Sequence, residues 1–375
     1  MQDVGANTQV RPYAVRPPLG RPKERGQKMK AAVYEGPGRL EVREVPDPKL
    51  RSDNMILKVK MCTICGTDLK LYTVGNPRCK PPRIIGHELV GEVIEVGKEL
   101  EGIAAGTRLT FATSIACNRC DLCSRNMENL CPHMKCISFD FDGGFAELMA
   151  VPTEAIRGGN AIRVPPSVED RAAALSEPLS CVINAQKVAG VKPGDTVVVL
   201  GAGPLGCLSA EVAKAFGATR VIITQRSPER LALAARLKNV ETVDASAGGT
   251  ANRIKDMTKG RGADVVIATA PSGESQAEGL EMVRKGGTLS LFASLPKGDS
   301  SIEIDTRLVH YGQISIVGAS DSRPCDVRDA LKLLEAGKVD VDTIVTHELP
   351  LERVLDGIEL MQKRSGLKIA IRPGS

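Results

Sequence analysis

A glycine-rich turn held between an apolar strand and a helix sets the strongest constraint on this chain. Residues 191–206 read VKPGDTVVVLGAGPLG. A Pro-Gly turn leads into a β-branched run from Thr196 to Leu200, and Gly201, Gly203, Pro204, Leu205 and Gly206 then open a helical stretch that reaches Phe216. Valine runs favour strand, and a proline just inside a helix is preorganised for its first turn. In this setting the first glycine permits a tight turn, the second lets a pyrophosphate approach the backbone, and the third lets the helix pack closely on the strand. The helix N-terminus adds attraction for negative charge.

The same alternation continues downstream. Strand patterns fall at Arg220 to Thr224, Thr242 to Asp244, Ala263 to Ala270, Thr288 to Ala293 and Ile314 to Val317, with helical patterns between most of them. Alternation of this kind predicts a doubly wound parallel sheet over residues 181–319. At the end of its second strand, nineteen residues beyond Gly206, an acid would bind the ribose hydroxyls of NAD; this chain has Gln225 there, followed by Arg226, Ser227 and Arg230. Neutral and basic groups at that place suit a 2′-phosphate, so NADP is the favoured cofactor over NAD. Solvated residues at a helix start are the plainer reading of Arg226 and Arg230.

Metal chemistry is written in the first half. Cys117, Cys120, Cys123 and Cys131 lie in CNRCDLCSRNMENLC, with gaps of two, two and seven residues. Four thiolates at such spacing close one tetrahedron and leave no position for substrate, which predicts a structural zinc. A second group is looser: Cys65 in MCTICGTDLKLY, His87 and Glu88 in IIGHELVGE, and Glu177 in AALSEPLSC. Three protein ligands and an open position are what a catalytic zinc requires. Glu177 is the candidate for the missing ligand, being a carboxylate in an apolar stretch that needs a partner if buried. Alone, such a glutamate is more often a satisfied surface or salt-bridged acid.

Residues 29–180 are otherwise rich in short strands broken by Gly and Pro, and a helix with a final strand after residue 320 returns to this first domain. Residues 1–28 hold six Lys and Arg against two acids, most of the formal charge of +5. With that segment set aside the remainder is nearly neutral, which argues against nucleic acid as a partner. The prolines of the segment oppose a regular helix, so it reads as a disordered leader. No run of apolar residues is long enough for a membrane span. The odd total of 11 cysteines, four of them clustered, suits a reducing, cytoplasmic setting better than a disulfide framework. Aromatics make up 3% of the chain and Trp is absent, so a sugar-like ligand would be held by polar groups.

Taken together, CGTD, GHELVGEV, the four-cysteine segment and GAGPLG stand in an order that resembles the zinc-containing medium-chain dehydrogenases, especially their sorbitol and threonine dehydrogenase branches. The resemblance runs from about Met29 to the C-terminus. It implies a β-rich, GroES-like catalytic domain interrupted by a Rossmann cofactor domain, with the active site in the cleft between them. Cys65, His87 and Glu177 would hold the catalytic zinc, and Glu88 would support the site or exchange onto the metal. Asp68 would accept a hydrogen bond from the imidazole of His87, and Thr67 would relay the alcohol proton. Lys70 stands where many members continue that relay with a histidine. The implied chemistry is hydride transfer between a secondary alcohol, either a polyol or an amino alcohol, and the nicotinamide of NAD(P), by an enzyme with two zinc ions per chain and a dimeric or tetrameric assembly. Tyr72, Asn76, Arg78 and Lys80 either reach the substrate or line a surface loop. A sugar-phosphate alcohol dehydrogenase, using Arg78, Lys80 or Arg83 for the phosphate, and a zinc-stabilised NADP-binding protein without turnover are the alternatives.

Overall fold

A computed structural model describes residues 28–374. The leader assigned to residues 1–28 lies, but for Lys28, outside the described residues. Strand β1 (Lys28–Gly36) forms a small antiparallel sheet, while β2 (Met55–Thr63) and β3 (Glu88–Val96) are the centre of a seven-stranded sheet. In β2 apolar residues point inward from both faces, and only Lys58 is exposed, so the strand is sequestered on both sides as a central strand should be. Between these two strands, helix α1 (Gly66–Thr73) begins directly after Cys65.

Helix α2 (Ser176–Ala189) leads out of the first domain and is buried along most of its length. It ends on Gly190 at φ 73°, the left-handed cap that glycine adopts without penalty. The second domain is a parallel sheet in which β4 (Thr196–Leu200) lies between β5 (Arg220–Gln225) and β7 (Ala263–Ala268). Beyond β5 comes β6 (Glu241–Asp244), and beyond β7 come β8 (Val283–Leu291) and β9 (Ser315–Gly318). The strand order reverses at β4, so the carboxyl ends of β4 and β7 border the crevice where such sheets bind ligands. Helix α3 (Pro204–Ala215) follows β4, and α4 (Pro228–Ala234) follows β5.

After β9, helix α5 (Pro324–Glu335) packs on α2. The chain then returns to the first sheet as β10 (Val345–Pro350) and β11 (Lys368–Arg372), with β11 pairing antiparallel to β2. One apolar core unites residues of the cofactor sheet, α2, α5 and the catalytic sheet, from Met61 and Val90 to Val199 and Ala370. Because α2 belongs to this shared core, side chains on its first turns are fixed relative to both sheets. Among the described residues no helix is long and apolar enough to cross a membrane.

Candidate active site and metal centres

Register places the first cluster. Thr63 at the end of β2 faces Glu88 at the start of β3, and Ala370 of β11 faces Thr63. Cys65 follows β2 by two residues and His87 precedes β3 by one, so both leave the sheet at the same edge. The ligand atoms of Cys65, His87 and Glu88 lie within 4.8 Å of one another. Burial opposes a charged imidazole, but the sulfur of Cys65 and the carboxylate of Asp68 outweigh it and hold His87 well above its ordinary pKa. The pocket thus favours a cation against the ring, and a divalent metal meets that demand without a proton.

Asp68 does not make the bond expected of it. His87 Nδ1 stands 3.7 Å from Asp68 Oδ1, beyond hydrogen-bond range, and neither atom has another partner. The other oxygen, Oδ2, accepts from the Cys65 N–H at 2.9 Å, so Asp68 fixes the backbone that carries Cys65. Both orphaned atoms are buried and face each other, an arrangement a small rotation of the imidazole would satisfy. Thr67 is half-buried on α1, while Lys70 is exposed.

Glu88 is engaged from below. Lys368 of β11 donates to its Oε1 and Oε2, the latter at 2.5 Å, and Thr63 Oγ1 donates to Oε2 as well. Lys368 and Glu88 are both almost wholly buried. Burial opposes a charged Lys368, yet Glu88 outweighs it and raises the lysine pKa. The Glu88 carboxylate is therefore matched in charge by Lys368 and supports the strand junction beneath His87. A lone lysine in the apolar strand LKIAIRP was the available signal for this partner.

Glu177 occupies the first turn of α2 and is 7% exposed. Its ligand atom falls in an adjacent cluster, within 4.8 Å of those of Cys181 and Asp321. Cys181 is four residues along the same helix, hence on the same face. Thr113 Oγ1 donates to Glu177 Oε1 at 3.4 Å. Burial pushes the Glu177 pKa up to about 7, against the pull of nearby His87. Neither Cys181 nor Asp321 was singled out in the sequence: Cys181 shares the helical spacing of Glu177, but Asp321 lies in a loop with no pattern of its own.

The four cysteines of the second centre form a separate lobe, with Cys123 and Cys131 buried and Cys117 and Cys120 half-buried. Cys120 Sγ is 3.4 Å from Cys123 Sγ and 3.9 Å from Cys131 Sγ. A tetrahedral zinc with bonds of about 2.3 Å has sulfur–sulfur edges of roughly 3.8 Å, so the reduced thiols are already spaced for the ion. The backbone N–H of Arg119, above all, pulls the Cys117 pKa down to about 6, toward the thiolate that metal binding needs.

In the cofactor domain the glycines follow their steric roles. Gly201 has φ 109°, and a Cβ on Gly206 would stand 1.9 Å from the carbonyl oxygen of Gly201. Helix α3 opens with Gly203 as N-cap and Pro204 in its first turn. Arg230 reaches back to this loop: its Nη1 lies 3.0 Å from where a Gly203 Cβ would be, and its Nε is buried without a partner. Burial first, then Arg364, lowers its pKa. An unpaired, partly desolvated guanidinium beside a glycine loop fits a phosphate group. Gln225 Oε1 accepts from the N–H groups of Arg226, at 2.7 Å, and Ser227, at 3.2 Å. Arg226 itself pairs with Glu274 at 2.6 Å, both side chains more than half exposed.

Of the three loop cations proposed for a sugar phosphate, two are engaged by acids. Arg78 stands 3.8 Å from Asp140, and Arg83 is 3.0 Å from Asp142. Lys80 is exposed, Tyr72 and Asn76 half-buried.

Comparison with known proteins agrees with this architecture. Residues 51–165 match the alcohol dehydrogenase GroES-like domain, and residues 204–336 match the zinc-binding dehydrogenase family. A sorbitol dehydrogenase of Halalkalibacterium halodurans is 32% identical over 92% of this chain and 99% of its own length. An L-threonine 3-dehydrogenase of Pyrococcus horikoshii is 33% identical over 90% of this chain and 96% of its own. Among solved structures, a zinc-binding dehydrogenase of Sinorhizobium meliloti bound to NADP superposes with a TM-score of 0.85 at 31% identity, covering 92% of this chain and 100% of that one. With both domains matched, in the order in which the metal donors and the glycine loop occur, the chain belongs to the zinc-containing medium-chain dehydrogenase family.

Proposed function

We propose that this protein is a zinc-dependent oxidoreductase that moves a hydride between a secondary alcohol, a polyol or amino alcohol, and NADP. The observation that carries the reading is the meeting of Cys65, His87 and Glu88 at one sheet edge, beside a second cluster in which Glu177, on the helix that precedes the glycine loop, is near enough to His87 to feel its charge. Cys65, His87 and Glu177 would hold the catalytic zinc, and Cys117, Cys120, Cys123 and Cys131 a second, structural ion. When bound, the catalytic zinc supplies a Lewis acid for the alcohol oxygen and the nicotinamide accepts or returns the hydride.

The chain's own residues set the conditions for that chemistry. Asp68 fixes Cys65 and stands behind His87, Glu88 with Lys368 supports the strand junction, and Thr67, half-buried on α1, would pass the hydroxyl proton toward solvent. Gly201, Gly203, Pro204, Leu205 and Gly206 present the helix N-terminus to the pyrophosphate, with Arg230 against the loop. Arg226 is the group left to meet a 2′-phosphate. Its pair with Glu274 is exposed and so contributes at most about 1 kcal/mol, little enough for a phosphate to displace. NAD is the alternative cofactor where that exchange fails.

The exposed edge strand β9, with Ile316 and nearby Tyr311 and Leu308 also exposed, supports a homo-oligomer. Eleven free cysteines favour a reducing, cytoplasmic location. The test of the function is a panel of diols, polyols, amino alcohols and sugar phosphates with NAD and NADP, followed at the nicotinamide absorbance beside metal analysis. Turnover that survives removal of all zinc, or oxidation restricted to phosphorylated alcohols, overturns the reading.

A further inference from the structure

Asp321 deepens the proposed reading of the active site and rests on it. The residue lies between β9 and α5 at φ 60°, a left-handed conformation that Asp and Asn tolerate better than other side chains. Its carbonyl accepts from Asn184 Nδ2 on α2 at 2.9 Å, and Ser180 of that helix donates to Ser322 Oγ at 2.7 Å. The loop is thereby clamped to the helix that carries Glu177. Asp321 Oδ1 accepts from the Ser322 N–H at 2.8 Å, and Oδ2 accepts from Ser114 Oγ. Thus oriented, the carboxylate lies within 4.8 Å of the donor atoms of Glu177 and Cys181.

Charges around this point do not cancel. Glu88 is matched by Lys368, and Arg78 stands nearer Asp140 than any other acid. A divalent ion held by Cys65, His87 and Glu177 takes up the charge of one thiolate and one carboxylate. Asp321 is left with two neutral donors and, among the described residues, no ion-pair partner. A half-buried carboxylate with no ion-pair partner attracts a cation as well as accepting a hydrogen bond. A substrate hydroxyl supplies only the bond, whereas an ammonium supplies both.

We propose that Asp321 is a specificity-determining residue that receives the ammonium of a vicinal amino alcohol whose hydroxyl lies at Cys65, His87 and Glu177. The ligand oxygens of Glu177 and Asp321 lie within 4.8 Å of each other, a span that suits groups carried on adjacent carbons. The same charge disfavours substrates with a carboxylate or phosphate beside the carbinol.

The test compares 1-amino-2-propanol, 1,2-propanediol and lactate as substrates of the zinc-loaded full chain with NADP. Binding of 1-amino-2-propanol to the zinc-loaded, NADPH-bound protein is measured in parallel by calorimetry. The variant Asp321→Asn keeps the left-handed backbone and an acceptor for Ser322 but removes the charge. Wild type is expected to favour the amine over the diol in kcat/KM by about tenfold to a hundredfold. Asp321→Asn should lose that ratio and the calorimetric affinity at unchanged zinc content, whereas Ser114→Ala, which loosens the carboxylate but keeps its charge, should retain it. Oxidation of the diol with no preference for the amine, or a preference that survives in Asp321→Asn, overturns the role of Asp321 alone. Amine binding that depends on Asp321 without oxidation of any of the three alcohols would uphold the subsite and overturn the proposed reaction.

Discussion

Replacing Lys368 with methionine should destabilise the catalytic domain more than any other single change at the strand junction. The lysine and Glu88 are almost wholly buried and bonded through both carboxylate oxygens. Methionine fills nearly the same volume, so the packing loss is small and the main effect is a carboxylate left charged in an apolar sheet. Stranding one partner of a buried pair costs about 3 to 5 kcal/mol, and Thr63 offers Glu88 only a neutral hydrogen bond in return. The double variant Lys368→Met/Glu88→Leu removes both charges and should recover most of the loss, since an apolar pair of similar size is often as stable as the ion pair it replaces.

The lysine's folded pKa is raised, so its contribution is fully present below the unfolded value of about 10.4 and is lost only as pH rises through the folded value. From roughly pH 6 to 9 the wild-type lysine is therefore charged and its own contribution does not change. Urea unfolding followed by far-UV circular dichroism is the suitable assay, because the chain has no Trp. A loss below about 1 kcal/mol, or a double variant no more stable than the single, would refute the argument that charge burial governs this junction.

Three further outcomes follow from the geometry. Under mild chelation two zinc ions should leave at different rates, with activity following the first and far-UV signal the second; Glu177→Gln should remove the labile ion and Cys120→Ser the retained one, both read by metal analysis. Gln225→Asp combined with Arg226→Leu should shift the ratio of kcat/KM toward NAD by about tenfold to a hundredfold, and a wild type that already prefers NAD would contradict the assignment of Arg226. Asp326 is buried, which works to raise its pKa, but Arg323 and Lys187 outweigh burial and lower it. Its stabilising effect is present above the unfolded value of about 3.9 and fades as pH falls through the folded value. Asp326→Asn should thus lose about 1 to 2 kcal/mol at neutral pH, discounted because Lys187 is 36% exposed, and become equal to wild type in acid.

Local spacing was enough for two parts of this protein. Four cysteines within fifteen residues can hardly avoid one another in a folded chain, and Val197 to Gly206 specify strand, turn and helix through side-chain branching and the missing Cβ atoms of Gly201 and Gly206. The alternation of strands and helices after Leu200 is likewise carried by short-range periodicity, so the parallel sheet was legible before its strand order was. Cys65, His87, Glu88 and Glu177 were legible as residues, through family motifs, but their relations were not. Whether Asp68 bonds His87 or Cys65, and whether Arg226 is free, depended on distances that no spacing encodes. Asp321 reaches Glu177 across 144 positions of sequence, and Lys368 reaches Glu88 across 280. Such contacts arise because β11 returns to β2 and α5 folds onto α2, movements driven by burial of a shared apolar core that specifies proximity without naming which polar groups it will bring together. The charge balance of the site, and with it the substrate the site will accept, was therefore settled by the tertiary fold.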